Sequence, residues 1–253
     1  MSAARLIMQG LAVCAALCVF GGSADASEIK LLASNAVKEA YGLLLPAFEK
    51  ASGNKVTVVW GGTADIIRRI EGGEPADIVI ITDAGIDRLI GAGKLTAMGR
   101  VTVAKSGVGA AVRAGGSKPD LSSGDALKKS LLAAKAIVLT PGPSNPLLHQ
   151  LFDRMGLAKE MKAKEIRPMP GQQLTDPVIA GKADIVFSQT SELIAVKGIE
   201  YAGPLPSGSQ IVLTYDAAFH AGAPQPGAAK DLVKFLTTPA AARMLQQNGL
   251  EPG

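Results

Sequence analysis

Residues 54–82 read NKVTVVWGGTADIIRRIEGGEPADIVIIT. The β-branched and aromatic run from Asn54 to Trp60 stops at Gly61-Gly62-Thr63, and apolar residues return at Ile66, Ile67 and Ile70 with Arg68, Arg69 and Glu71 beside them. Asp77–Thr82 is apolar again. These periods predict a strand, a helix over residues 64–72 and a second strand. Upstream, Glu28–Ala33 predicts a strand and Asn35–Ala51 a helix with Leu43, Leu44, Ala47 and Phe48 inward; downstream, Ala84–Ala92 predicts a helix ended by Gly93. A βαβαβα run implies a parallel sheet covered on both faces.

A second round follows a long strand, Val101–Val112, which carries Gly107 and Gly109 where the chain could bend from one lobe into another. It comprises helix Gly124–Ala133, strand Ala136–Thr140, helix Asn145–Met155, strand Glu165–Met169, helix Leu174–Ala180 and strand Ala183–Ser188. Ile211–Phe219 predicts a returning strand, with Thr214–Ala217 as the second hinge candidate, and Gly227–Gln247 is helical with an interruption at Pro239. The expected fold is α/β and two-lobed, each lobe a mostly parallel sheet flanked by helices. Residues 27–106 and 215–253 form lobe 1, residues 107–214 form lobe 2, and a ligand cleft lies between them.

Residues 1–26 read as a signal peptide: Arg5 in a short basic start, an apolar run from Leu11 to Phe20, and the small-x-small site Ala24-Asp25-Ala26. Export to the periplasm is the expectation. Cys14 and Cys18 lie in that run behind Val13 and Leu17, which disfavours a lipid anchor, and the remaining chain has no cysteine for a disulfide, thiol chemistry or a metal. A net charge of +4 with scattered charges and 4% aromatic residues argues against a nucleic-acid surface. No lysine follows Gly61-Gly62-Thr63 to make a P-loop, and Ala33-Ser34-Asn35 stands where a dinucleotide fold wants its glycines. Two isolated histidines make no zinc site, and no cofactor is expected.

Three strand-to-helix turns stand out. Ser34 follows the first strand, Thr63 the second, and Ser144 follows Thr140-Pro141-Gly142-Pro143. Each hydroxyl sits beside unsatisfied backbone N–H groups at a helix start, which suits an anion, though such residues are also ordinary helix caps. Arg68 and Arg69 begin one turn beyond Thr63; they belong either to a solvated helix face or to a bidentate pair with a carboxylate ligand.

Leu32-Ala33-Ser34-Asn35-Ala36, Gly61-Gly62-Thr63-Ala64, the Ile70–Ile78 segment with its Pro75-Ala76-Asp77, Lys197-Gly198-Ile199 and the closing Lys234–Ala242 together resemble the periplasmic molybdate-binding proteins of ABC importers. The resemblance implies a monomeric type II periplasmic binding protein that holds a small anion and hands it to the importer's membrane subunits. It implies ligand contacts from Ser34 with Asn35, from Gly62 with Thr63, from Ser144 with Asn145, and from Gln172, Gln173, Phe187 and Gln189. Phe187 stands where the family's tyrosine is expected and cannot donate a hydrogen bond. Molybdate or tungstate leads as ligand, beside sulfate-like anions and small carboxylates.

Ser188–Leu193, Gly203-Pro204-Leu205-Pro206 and Gly249–Gly253 also resemble a branch of this family that includes aconitate isomerases. That resemblance implies an enzyme moving a proton on a tricarboxylate, for which His149 and Glu192 are the acid–base candidates.

Overall fold

The computed structural model describes residues 26–169 and 171–253; the expected leader, apart from Ala26, lies outside them. The strands are β1 (Glu28–Ser34), β2 (Lys55–Gly61), β3 (Ile78–Thr82), β4 (Leu95–Arg113), β5 (Ile137–Leu139), β6 (Glu165–Ile166), β7 (Ile185–Gln189), β8 (Ile199–Pro204), β9 (Val212–His220) and β10 (Glu251–Pro252). The helices are α1 (Lys38–Ser52), α2 (Thr63–Glu71), α3 (Asp83–Gly91), α4 (Gly124–Ala133), α5 (Ser144–Arg154), α6 (Ala158–Lys164), α7 (Asp176–Ile179), α8 (Thr190–Leu193), α9 (Pro226–Leu236) and α10 (Pro239–Gln247). Among the described residues no helix is long and apolar enough to cross a membrane.

In the first sheet β2, β1 and β3 run parallel, and β9 is inserted antiparallel between β3 and β4. In the second, β6, β5 and β7 run parallel, and the far half of β4 lies antiparallel between β7 and β8. Both sheets are buried on both faces, as the apolar runs require. Ile78 and Ile80 enter one core and Val79 and Ile81 the other; Ile185 and Phe187 part from Val186 in the same way. On α1 the inward face is Tyr41, Leu44, Leu45 and Phe48, while Leu43 and Ala47 are exposed. The i, i+3, i+4, i+7 stripe therefore corrects the expected inward Leu43 and Ala47.

β4 joins the two sheets. Up to Gly107 it pairs with β9, Gly107 standing opposite Val212; from Val108 it pairs with β7 and β8, and the Val108 N–H donates to the Ile211 carbonyl at 2.8 Å. A Cβ at Gly109 would lie 2.6 Å from the Tyr201 ring and 2.9 Å from the Gly203 carbonyl oxygen, so only glycine admits that contact. Thr214–Ala217 lies inside the ladder of the first sheet, and the chain returns earlier, at Gln210–Val212.

One device recurs in both lobes. Asp77, at the start of β3, accepts the Lys30 N–H at 2.8 Å and the Gln225 N–H at 2.6 Å, and its own N–H returns to the Lys30 carbonyl. Asp184, before β7, accepts the Lys135 N–H at 2.5 Å, and its N–H goes to Ala136. Each Ala-Asp-Ile thus clips the entry of one parallel strand onto its neighbour. The Pro-Ala-Asp segment is in this way a structural lock.

Tyr41 is fully buried, its hydroxyl has no partner among the described residues, and burial pushes its phenol pKa up. Tyr41→Phe removes a desolvated, unpaired group, so its melting temperature is expected to equal or exceed the wild type's. A lower melting temperature would show that the hydroxyl is paired.

Candidate anion-binding cleft

Four parallel strands end at one cleft: β1 at Ser34, β2 at Gly61, β5 just before Thr140 and β7 at Gln189. A helix or 3-10 turn starts after each, so backbone N–H groups gather at the carboxyl ends of both sheets. The cleft has a volume of about 420 Å³. One wall is Asn35, Lys38, Glu39 and Gly62. The other is Thr140-Pro141-Gly142, Gln173-Leu174-Thr175, Ser191-Glu192 and Ala195-Val196.

The residues expected from sequence divide. Asn35, Gly62, Gln173 and Glu192 line the cleft. Ser34 is a true cap: its hydroxyl accepts the Ala36 N–H at 3.2 Å and neighbours the Tyr215 hydroxyl. Thr63 and Ser144 are not caps. Gly62 and Pro143 hold those positions without a side-chain bond, and each hydroxyl residue is the first of its helix. Thr63 is 8% exposed and Ser144 0%, and neither hydroxyl has a partner among the described residues. The Thr63 methyl fits only because residue 85 is glycine; a Cβ there would lie 2.9 Å from it. Gln189 is also buried, with its Nε2 unpartnered.

Asn145 donates its amide to the Thr140 carbonyl at 2.9 Å, and Gln172 accepts the Met169 N–H at 2.9 Å; both line a neighbouring chamber. Phe187 requires correction as a contact residue: it is fully buried and packs edge-on to Phe152 in the second lobe's core, ring centroids 6.4 Å apart. His149 is off the cleft wall and pairs with Glu165 at 3.3 Å. Arg68 and Arg69 are held by Asp65 and Glu74 on an exposed face.

Sequence reasoning missed Lys38, Glu39, Thr175 and Ser191. Lys38 and Glu39 carry no motif, Thr175 stands at the cap position of α7, and Ser191 belongs to α8, a helix of four residues that is too short to show a period. Ser191 Oγ lies 3.3 Å from Ser106 Oγ on β4, next to the crossing into the second sheet.

Glu192 gives the cleft its chemistry. Burial pushes its carboxyl up from the ordinary range, and the Ser188 hydroxyl, donating at 2.5 Å, opposes that in part. Burial and the charge of Glu192 push the Tyr215 phenol up as well. A wall of helix starts, amides, hydroxyls and Lys38 favours an anion, and a protonated carboxyl is a further donor.

The chain matches the family model described as bacterial extracellular solute-binding protein over residues 29–251. An aconitate isomerase from Pseudomonas sp is 33% identical over 232 residues, covering 89% of this chain and 88% of that protein. Among solved structures, the periplasmic molybdate-binding protein of Azotobacter vinelandii superimposes with a TM-score of 0.73 at 18% identity, covering 89% of this chain and 99% of that one. The sulfate-binding protein of Mycobacterium tuberculosis H37Rv gives 0.72 at 22% identity, covering 89% of this chain and 87% of that one. At such identities the two structures speak for the fold. With its two α/β lobes around one cleft, the chain belongs to the bacterial extracellular solute-binding protein family.

Proposed function

We propose that this chain is an exported receptor whose cleft closes on a small organic carboxylate and presents it to a membrane importer. The observation that carries anion capture is the pair of buried, unpartnered hydroxyls, Thr63 in one lobe and Ser144 in the other, each at the start of a helix. Neither residue lines the cleft as it stands, each lying one or two positions beyond the lining residues Gly62 and Gly142; an anion that reaches both helix starts on closure would satisfy the hydroxyls and favour the closed form over the open one. The paired crossing at Gly107 and Val212 is the axis on which the lobes would move. A carboxylate is preferred to a tetrahedral oxyanion because the 33% identical relative is an aconitate isomerase.

A second reading, isomerisation of the bound carboxylate, is favoured by Glu192. Such an isomerase takes a proton from one carbon beside a carboxylate, shifts the double bond and returns a proton to another carbon, so one group must accept and give it back. Glu192, held by Ser188 with its pKa raised, is the cleft's candidate; His149 is engaged elsewhere.

Both readings give Glu192 a pH signature. The folded carboxyl titrates above its unfolded value, so its contribution to stability is present below the unfolded pKa and is lost as pH rises through the folded one. Affinity for an anion falls over the same interval, because ionised Glu192 repels it. Trans-aconitate binding by the wild type is therefore expected to weaken as pH rises above the ordinary carboxylate range and Glu192 ionises. Glu192→Gln should bind with a flatter profile and melt higher at neutral pH. Identical pH profiles for the two proteins would remove Glu192 from the site. Conversion of trans- to cis-aconitate, followed by absorbance, separates the enzyme from the receptor.

A further inference from the structure

Beyond the cleft, behind Pro141 and Leu174, lies a second chamber of about 520 Å³. Those two residues are walls of both spaces, so the chamber adjoins the cleft on the side of the second lobe. Its polar lining is Asn145, Glu165, Arg167 and Gln172. Asn145 spends its amide N–H on the Thr140 carbonyl, which fixes the side chain and leaves its oxygen as an acceptor. Gln172 is arranged the other way, its oxygen taken by the Met169 N–H and its amide N–H group left to donate.

The charges are unequal in their access. The Glu165 side chain is 8% exposed and is backed by His149 at 3.3 Å, so it belongs to the wall. The Arg167 side chain is 85% exposed and touches Glu165 only through Nε, at 3.4 Å, so the terminal nitrogens of its guanidinium are without a partner among the described residues. A planar fork of donors beside a free amide is the chemistry that recognises a carboxylate in two-point fashion. The Glu165 carboxylate engages the Nε edge of that fork beside the chamber wall.

We propose that this chamber is a second subsite, in which Arg167, assisted by Gln172, holds a distal carboxylate of a ligand whose other end occupies the cleft. The subsite rests on the carboxylate reading above. It makes ligand length and number of carboxylates the basis of selection: a tricarboxylate spans both spaces, and a shorter dicarboxylate fills the cleft alone.

Trp60, the only tryptophan of the chain, lies in β2 two residues before the cleft residue Gly62, and its fluorescence serves as the probe of binding. Titrating the mature protein with trans-aconitate and with succinate gives the ratio of their affinities. The wild type is expected to favour trans-aconitate, and Arg167→Ala should reduce the ratio by about 10-fold or more, the value of a charged hydrogen bond. Arg167→Lys, which keeps the charge without the fork, should recover only part of it. Arg167 lies on the surface, so an unaltered melting temperature is expected for both variants. An unchanged ratio in Arg167→Ala, with succinate still bound, overturns the subsite and leaves the receptor standing. Binding of neither carboxylate overturns the subsite, and the receptor reading then stands or falls on whether cis-aconitate or citrate binds.

Discussion

Thr63→Val and Ser144→Ala are each expected to weaken anion binding by about 1.5–3 kcal/mol, or roughly 10- to 150-fold, the value of a hydrogen bond to a charged partner. Valine keeps the methyl group that Thr63 places against Gly85, so the first variant tests the hydroxyl alone. Neither hydroxyl caps its helix, since Gly62 and Pro143 occupy the cap positions. Neither variant should therefore lower the melting temperature of the ligand-free protein. The double variant should lose the most affinity, and less than the sum of the two if both groups touch one ligand. A contrast is available at Ser34, whose hydroxyl does cap: Ser34→Ala should cost about 1 kcal/mol of stability. If Thr63→Val and Ser144→Ala lower the melting temperature while affinity holds, the hydroxyls serve the fold and not a ligand.

The second large effect concerns the first sheet. Asp216, in β9, has a side chain only 6% exposed; it pairs with Arg100 at 2.6 Å and accepts the Thr102 hydroxyl at 2.8 Å. Arg100 also reaches Asp87 on α3, and these two carboxylates hold its pKa above the usual arginine value. Arg100→Met strands the buried charge of Asp216 and should cost about 3–5 kcal/mol, read from the midpoint of urea unfolding. Adding Asp216→Leu removes the stranded charge and should restore much of the loss. A cost below about 1 kcal/mol for Arg100→Met would mean the pair behaves as an exposed one.

What sequence could reveal follows the strength of each local signal. From β1 to α3 short apolar runs alternate with amphipathic helices, and Asn35 and Gly62 fall just after strand ends, where the cleft proves to be. β4 starts at Leu95, ahead of the expected Val101: Leu95 and Thr96 pair with His220 and Phe219 of β9, and the register slips before Val101. Gly99 there adopts φ 82° over the Phe219 ring, a contact no hydropathy pattern encodes. β8 contains Gly203-Pro204 and reads as a loop, and α6 is a charged stretch of seven residues.

At the site, strand geometry explains the clearest difference from the sequence reading. Phe187 and Ser188 are neighbours in β7, yet Phe187 enters the core and Ser188 bonds Glu192 on the cleft wall. Successive residues of a strand face opposite ways, so an uncertainty of one position exchanges wall for core. His149 illustrates the other limit: its partner Glu165 is distant in sequence, and only the packing of α5 beside β6 joins them.

The central claim, that the cleft captures a carboxylate, is tested most directly by calorimetric titration of the mature chain. The panel is trans-aconitate, cis-aconitate, citrate, succinate, sulfate, molybdate and tungstate. The account predicts saturable one-to-one binding of at least one carboxylate, more tightly than any of the three tetrahedral anions. Tighter binding of molybdate, tungstate or sulfate than of every carboxylate, or no binding of any of the seven, would contradict it.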